Sequence, residues 1–562
     1  MMSNQSHRRW LILSLLFAIL YGVLFWRIAA EDYYSLQDDA RQHIFWMQRW
    51  LDPKLFPNDL IADYFQSLSP FGYRTLYRVA TALGIHPFLF SKLLPPILGI
   101  VSTIYGFYLC LRLIPSPVVA FASTLILNQS MWMWQDLGSG TPRAFAIPLL
   151  LAFLYYLSKR ALWPSVSVVI LSGWFYPHLV LISVATLAMR LLRWGHRRIE
   201  LSADPLDYHL LAWGGIAGLL VLLPFMISTS PYGPVVTAAQ AKTMPEFVTG
   251  GRHSFFGRPW LDYWLGTRSG LFPVLNPAPI FAGFLLPVLL LFRERVPLLL
   301  QTTRELGLLL QFMVGSLGTF LLAHIMLFRL HSPNRYTHYS ARIILSIATA
   351  MVLISLAAAL GQWLAAVIPF RQLSKRLSKL AVGTVLMGLM LYPASLKNFL
   401  DVLYASSDRR PLYEFLAQQP KDTLVASLSK EANNISSFVG RSVLVSPEHS
   451  IAYHTNYYTQ IRQRVFDLIR AQYSTDLGEL QKVTHQYGID FWLIDSNSFD
   501  LESLDNNRWL RQFQPEMSDA IARLKQGQQP ILKQLIPACT TLRETFKQRE
   551  VLLIDATCLL SK

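Results

Sequence analysis

Residues 10–29, WLILSLLFAILYGVLFWRIA, form an apolar run with Arg27 as its single charge. A hydrocarbon core about 30 Å thick takes roughly 20 such residues as a helix. Inside that core the backbone must satisfy its own hydrogen bonds, which a helix does within one segment. Ten further runs follow, at about 87–112, 117–135, 142–158, 162–176, 177–192, 209–227, 273–292, 306–328, 341–367 and 379–396. The fifth and sixth runs of the chain are short and can be read as one broken pair. Eleven crossings dictate a polytopic α-helical membrane protein. Composition agrees where it decides the class: 15% of the residues are charged, against about a quarter in a soluble domain. The first run is too long for a cleaved secretion signal and lacks a small-residue cleavage site.

The net charge of +16 is topological in such a chain, because Lys and Arg gather in cytoplasmic loops. SHRRW ahead of the first run puts the N-terminus inside. SKR (158–160), RLLRWGHRR (190–198), FRER (292–295) and RQLSKRLSK (371–379) then also fall inside. Nucleic acid is not an expected partner, since no basic run is interleaved with aromatics as a single-strand groove requires. The resulting map is a multispanning domain, 1–399, with outer loops at 30–86 and 228–272, followed by an extracytoplasmic domain, 400–562. In the latter, short apolar runs (TLVASL, SVLVS, DFWLID, EVLLID) alternate with helix-like stretches at 457–472 and 475–487. That pattern predicts an α/β domain with a small, partly parallel sheet. Cys539 and Cys558 both fall there, and an oxidising compartment allows either a disulfide or two buried thiols. Cys110 lies in a span. No CxxC, HExxH, P-loop or GxGxxG after a strand occurs.

The outer face collects the chemistry-bearing residues. SLQDDARQHIFWMQRW (35–50) places Asp38 and Asp39 just past the first span. The pair can cap and start a helix over 39–51, where carboxylates favour the dipole, and it can also act as a base. Asp136 and Arg143 flank GSGTP, as an ion pair or as part of a site. His178 follows Pro177 in WFYPHL. GGRHSFFGRPW carries Arg252 and Arg258, and SPNRYTHYSAR carries Arg335, Tyr336 and His338. Arginine recognises phosphate bidentately, so arginines from three loops on the face that holds the carboxylates suit a cationic phosphate cradle beside an acidic base. Each also has a plainer reading: an interfacial anchor for the 252–260 loop, a snorkelling Arg335, a capped interfacial His178.

A first span, an outer loop with an acidic pair, many further spans and an outer α/β domain resemble the GT-C superfamily of polytopic glycosyltransferases. That group includes oligosaccharyltransferases, protein O-mannosyltransferases and aminoarabinose lipid A transferases. Locally the resemblance rests on QDDARQHIFW and on SPNRYTHYSAR, which is similar to a Pro-x-Arg-Tyr element of such proteins. It implies a sugar donor on a polyprenyl phosphate or diphosphate, an acceptor glycan, lipid or protein, and inverting transfer on the outer face. Asp38 or Asp39 would activate the acceptor or position a divalent cation, and Arg143, Arg252, Arg258 or Arg335, with Tyr336 and His178, would bind the substrate and its phosphate. The WWDxG-type signature of oligosaccharyltransferases is absent, which argues against Asn-glycosylation of protein. Two other classes compete: a transporter or flippase for a lipid-linked or polar substrate, which calls for a polar path through the spans, and a non-catalytic scaffold with a partner-binding outer domain. The few cysteines lean toward a bacterial inner membrane.

Overall fold

The computed structural model describes residues 4–194, 199–227, 230–266, 268–272, 275–367, 371–400, 403–547 and 549–562. Among the described residues, six helices are long and apolar enough to cross a membrane: Gln5–Ala29, Pro87–Leu113, Pro205–Ile227, Arg304–Ile325, Pro333–Leu364 and Arg376–Ser395. Pro142–Ser158, Leu162–Phe175, His178–Arg190 and Ala278–Leu291 are shorter apolar helices, and Pro117–Trp132 packs among them. Large apolar side chains such as Leu16, Leu219, Leu321 and Trp363 lie on the outside of this bundle, where lipid rather than protein covers them. Leu162–Phe175 and His178–Arg190 are separate helices, broken at Tyr176 and Pro177.

Small residues let the helices approach closely, as membrane packing favours. A Cβ on Gly315 would stand 3.0 Å from the backbone nitrogen of Thr186 on the helix His178–Arg190. One on Gly361 would stand 2.3 Å from the Cα of Ser378 on the neighbouring helix.

The helix expected over 39–51 is divided. Asp38–Ile44 is α-helical and Phe45–Trp50 winds more tightly as a 3₁₀ helix. Ile44, Phe45, Trp46 and Met47 are all buried, so this segment is enclosed on every side rather than along one stripe. The cap is Gln37, not Asp38: the Gln37 side chain accepts the Ala40 N–H at 3.2 Å.

The C-terminal region carries a five-stranded sheet in the order Ser442–Val443, Leu424–Ser427, Phe491–Asp495, Arg549–Asp555, Thr540–Phe546. The first three run parallel, and the last two form an antiparallel hairpin beside them. Cys539 and Cys558 are joined by a disulfide, with Cα atoms 5.5 Å apart.

The outer loops and this sheet domain are stitched together. Ser35–Gln37 pairs with Tyr404–Ser406 in a two-stranded antiparallel ribbon, so the chain enters the acidic-pair helix from a fixed backbone position. Val236 donates to Tyr453 at 2.9 Å. Tyr64 stacks on Tyr457 with ring centres 3.6 Å apart.

Candidate functional site

Asp38 and Asp39 occupy the first turn of Asp38–Ile44, where the unsatisfied N–H groups favour negative charge. Successive residues on a helix point about 100° apart, and the two carboxylates diverge accordingly. Asp38 lines a cavity of about 1360 Å³ between the outer loops and the C-terminal domain. It pairs with Arg41 one turn on, and Arg41 also donates to Asn434 Oδ1 at 2.6 Å. Asp39 turns toward the bundle and pairs with Arg143. Arg143 Nη1 also stands 3.3 Å from Asp136 Oδ1, and His338 Nε2 is 3.1 Å from Asp136 Oδ2. Asp136 is therefore part of the site's scaffolding: it holds Arg143 against Asp39.

The arginines do not form one cradle. Arg143 and Arg335 belong to the bundle side. Arg335 Nη1 donates to Tyr176 Oη at 2.6 Å. Tyr336 is fully buried; its hydroxyl lies 3.3 Å from His178 Nδ1 and donates to the Leu330 carbonyl at 3.0 Å. His178 and Tyr336 thus fasten the loop that carries Arg335. Arg252 and Arg258 line the cleft with Asp38 instead. Arg252 stands 3.3 Å from Glu448 Oε1 and donates to the Glu448 carbonyl at 2.7 Å. Arg258 pairs with Asp262 at 2.9 Å.

Two residues the sequence reading passed over join the site. His43 lies four residues after Asp39 and so on the same helix face. Burial first, then the charges of Arg143 and Arg335, hold its imidazole down at about 4, against the opposing pull of Asp39. The Asp-x-x-x-His spacing was the available signal. Glu448 comes from a C-terminal loop, bonds Gln42 and lines the cleft near Asp38. Burial raises its carboxyl, Asp38 and Asp39 raise it further, and Arg252 and Arg41 oppose them. Nothing local in SPEHS announces this.

A divalent cation fits poorly. Asp38 and Asp39 diverge and each faces an arginine. Among the described residues no three His, Cys, Asp or Glu side chains gather into a ligand set.

No family model matches the chain, and no curated protein matches it in sequence. Solved structures do. The oligosaccharyltransferase of Archaeoglobus fulgidus tethered to an acceptor peptide superposes with a TM-score of 0.52 at 12% identity, over 92% of this chain and 72% of that one. The same enzyme with an inhibitory peptide and a dolichol-phosphate gives 0.51 at 12% identity, over 94% and 72%. The chain shares its fold with these oligosaccharyltransferase structures. ArnT from Cupriavidus metallidurans bound to undecaprenyl phosphate matches with a TM-score of 0.47 at 12% identity, over 97% of this chain and 98% of that one. The membrane-length apolar helices and the shared fold make this chain an integral, multi-pass membrane protein.

Proposed function

We propose that the chain is a membrane glycosyltransferase that moves a sugar from a polyprenyl-phosphate or diphosphate carrier to an acceptor on the extracytoplasmic side. The topology behind this reading has eleven crossings, the N-terminus in the cytoplasm and residues 400–562 outside. One observation carries it: adjacent carboxylates open in two directions, Asp38 onto a large polar cleft and Asp39 onto the Arg143 cluster. An inverting displacement needs that division. The leaving phosphate needs positive charge, and the acceptor hydroxyl needs a base within hydrogen-bond reach. In our reading the sugar–phosphate linkage lies against Arg143 and Arg335, with the lipid tail among the apolar helices. The acceptor enters through the cleft. Its oxygen bonds to the anomeric carbon, the carbon–oxygen bond to phosphate breaks with its electrons going to phosphate, and Asp38 takes the acceptor's proton. Asp39 fixes Arg143. The archaeal enzyme of the same fold, described with dolichol-phosphate and with an acceptor peptide, supports a lipid carrier by analogy.

The test is a mass-spectrometric glycan profile of cells carrying wild type, Asp38→Asn or Asp39→Asn at matched membrane expression. Loss of a general base costs about 10²–10⁴-fold, so Asp38→Asn is expected to lose the product by at least about 100-fold. Wild-type product from both variants overturns the reading.

A further inference from the structure

The cleft that begins at Asp38 has one edge at the membrane surface. That edge is the short helix Trp260–Leu265. Pro259 and Asp262 line the cleft, whereas Trp260, Leu261 and Leu265 are exposed, Trp260 to 73%. The helix is docked on the end of a membrane span. The rings of Tyr263 and Trp264 lie 5.7 and 4.9 Å from the ring of His324, in the span Arg304–Ile325. Leu321 and Ile325, which flank His324, are exposed as well. An exposed tryptophan at the end of a span sits at headgroup depth. The cleft is thus open to a molecule held in the bilayer surface.

Charge decides what kind of molecule fits. Four ion pairs cancel within the cleft: Asp38 with Arg41, Arg252 with Glu448, Arg258 with Asp262 and Arg409 with Glu431. Of the carboxylates left, Glu550 stands 3.9 Å from Arg543, and Asp495 accepts the Ser429 hydroxyl at 2.8 Å. Four cations line the cleft with no carboxylate partner among the described residues: Arg268, Lys430, Arg508 and Arg549. Arg268 is fixed by neutral groups, with Nη1 3.0 Å from His253 Nδ1 and 3.2 Å from Tyr453 Oη, so its charge is not offset. Lys430, Arg508 and Arg549 face water. Like charges drawn to one cleft from four separate segments repel one another, and an anion placed among them relieves that repulsion. Arginine grips a phosphate or carboxylate with two parallel hydrogen bonds.

We propose that the cleft binds the anionic headgroup of a lipid that stays in the leaflet on the cleft side of the membrane. Arg268, Lys430, Arg508 and Arg549 meet the headgroup, and Trp260 and Leu261 are seated beside its chains. That this lipid is the sugar acceptor, presented to Asp38, rests on the transferase reading; the binding does not. A volume of about 1360 Å³ exceeds the roughly 300–1,000 Å³ of a drug-sized pocket and takes a headgroup larger than a single phosphate.

The experiment uses full-length protein in a neutral maltoside detergent, titrated by microscale thermophoresis. The probes are dioctanoyl-phosphatidylglycerol, dioctanoyl-phosphatidate and dioctanoyl-phosphatidylcholine, with glycerol 3-phosphate and trigalacturonate as soluble anions. Both anionic lipids are expected to bind at least about tenfold more tightly than the choline lipid, and more tightly than either soluble anion. Lys430→Gln/Arg508→Gln/Arg549→Gln is expected to remove that preference with an unchanged thermal midpoint. Trp260→Ser/Leu261→Ser is expected to weaken the lipids severalfold and leave the soluble anions as they were. Arg293→Gln/Arg295→Gln, a basic pair that does not line the cleft, is expected to change neither. Equal affinity for the three lipids overturns the proposal, as does an unchanged preference in the triple variant. Tighter binding of glycerol 3-phosphate or trigalacturonate than of the lipids makes the ligand a soluble anion and overturns it too. Anionic-lipid binding by a wild type that transfers no sugar removes the transferase reading and leaves this one standing.

Discussion

At the scale of single residues, Arg143 is the most demanding position. Its guanidinium meets Asp39 with one arm and Asp136 with the other, and Asp136 is itself backed by His338. A lysine ammonium is a point charge on a flexible stem and cannot span two carboxylates in fixed geometry. Arg143→Lys is therefore expected to cut sugar transfer at least about tenfold, with the thermal midpoint nearly unchanged, while Arg143→Ala loses both; in-vesicle transfer rates beside thermal melts check this. How visible the site is before folding depends on what carries each residue. Asp38 and Asp39 stand out because they are adjacent carboxylates in the first outer loop, shortly beyond a membrane-length run. His43 is legible through its spacing. Glu448 is not, since it reaches the site only when the chain brings it back 406 residues after Gln42. That the arginines divide into two groups is equally invisible, because loop sequence does not say on which side of a short helix each loop lands.

At the scale of elements, the membrane helices were readable because length and apolarity are imposed by the bilayer rather than by neighbours. The strands buried on both faces were readable for the matching reason: TLVASL, DFWLID and EVLLID are nearly continuous apolar runs. Thr540–Phe546 is not legible in the same way: it is an edge strand of alternating half-buried and exposed residues, TTLRETF, with little to set it apart from a loop. The split of 39–51 likewise comes from tertiary enclosure of Ile44–Met47, which local periodicity does not encode. Helix contacts give a sharper test. Gly361 faces the backbone of Ser378, whereas Gly383, on the same partner helix as Ser378, has open space around it. Gly361→Leu forces two helices apart and is expected to cost about 1–3 kcal/mol, seen as a lower melting temperature in detergent. Gly383→Leu should melt like wild type.

The whole molecule is held at a seam between the outer loops and the C-terminal domain, and that seam is built on neutral histidines beside arginines. His253 has Arg268 Nη1 3.0 Å from its Nδ1 and the Ala452 N–H 3.3 Å from its Nε2. Burial first, then Arg268 and Arg252, holds its ionisation well below the usual range, against the opposing pull of a backbone hydrogen bond with Ser450. His449 is fully buried beside Phe45 and Phe65, and its Nδ1 lies 2.7 Å from Ser446 Oγ. Burial, then Arg41 and Arg252, push it down from 6.5 to about 3. For a base depressed by folding, the unfolded chain binds the proton first as pH falls. The stability is complete above about pH 6.5, erodes as pH drops through that value and levels only near pH 3. For His449 alone the span is on the order of 5 kcal/mol at 1.36 kcal/mol per unit. Melting curves from pH 7.5 to 4 are expected to move steadily downward in wild type and less steeply in His449→Gln, which cannot take the proton. Parallel slopes would mean that the acid sensitivity resides elsewhere. The loosened state should also release the tie between Asp38 and the cleft, because Arg41 and Gln42 reach across the same seam to Asn434 and Glu448; sugar transfer is then expected to fall over the same pH window as the melting temperature, and to fall later in His449→Gln.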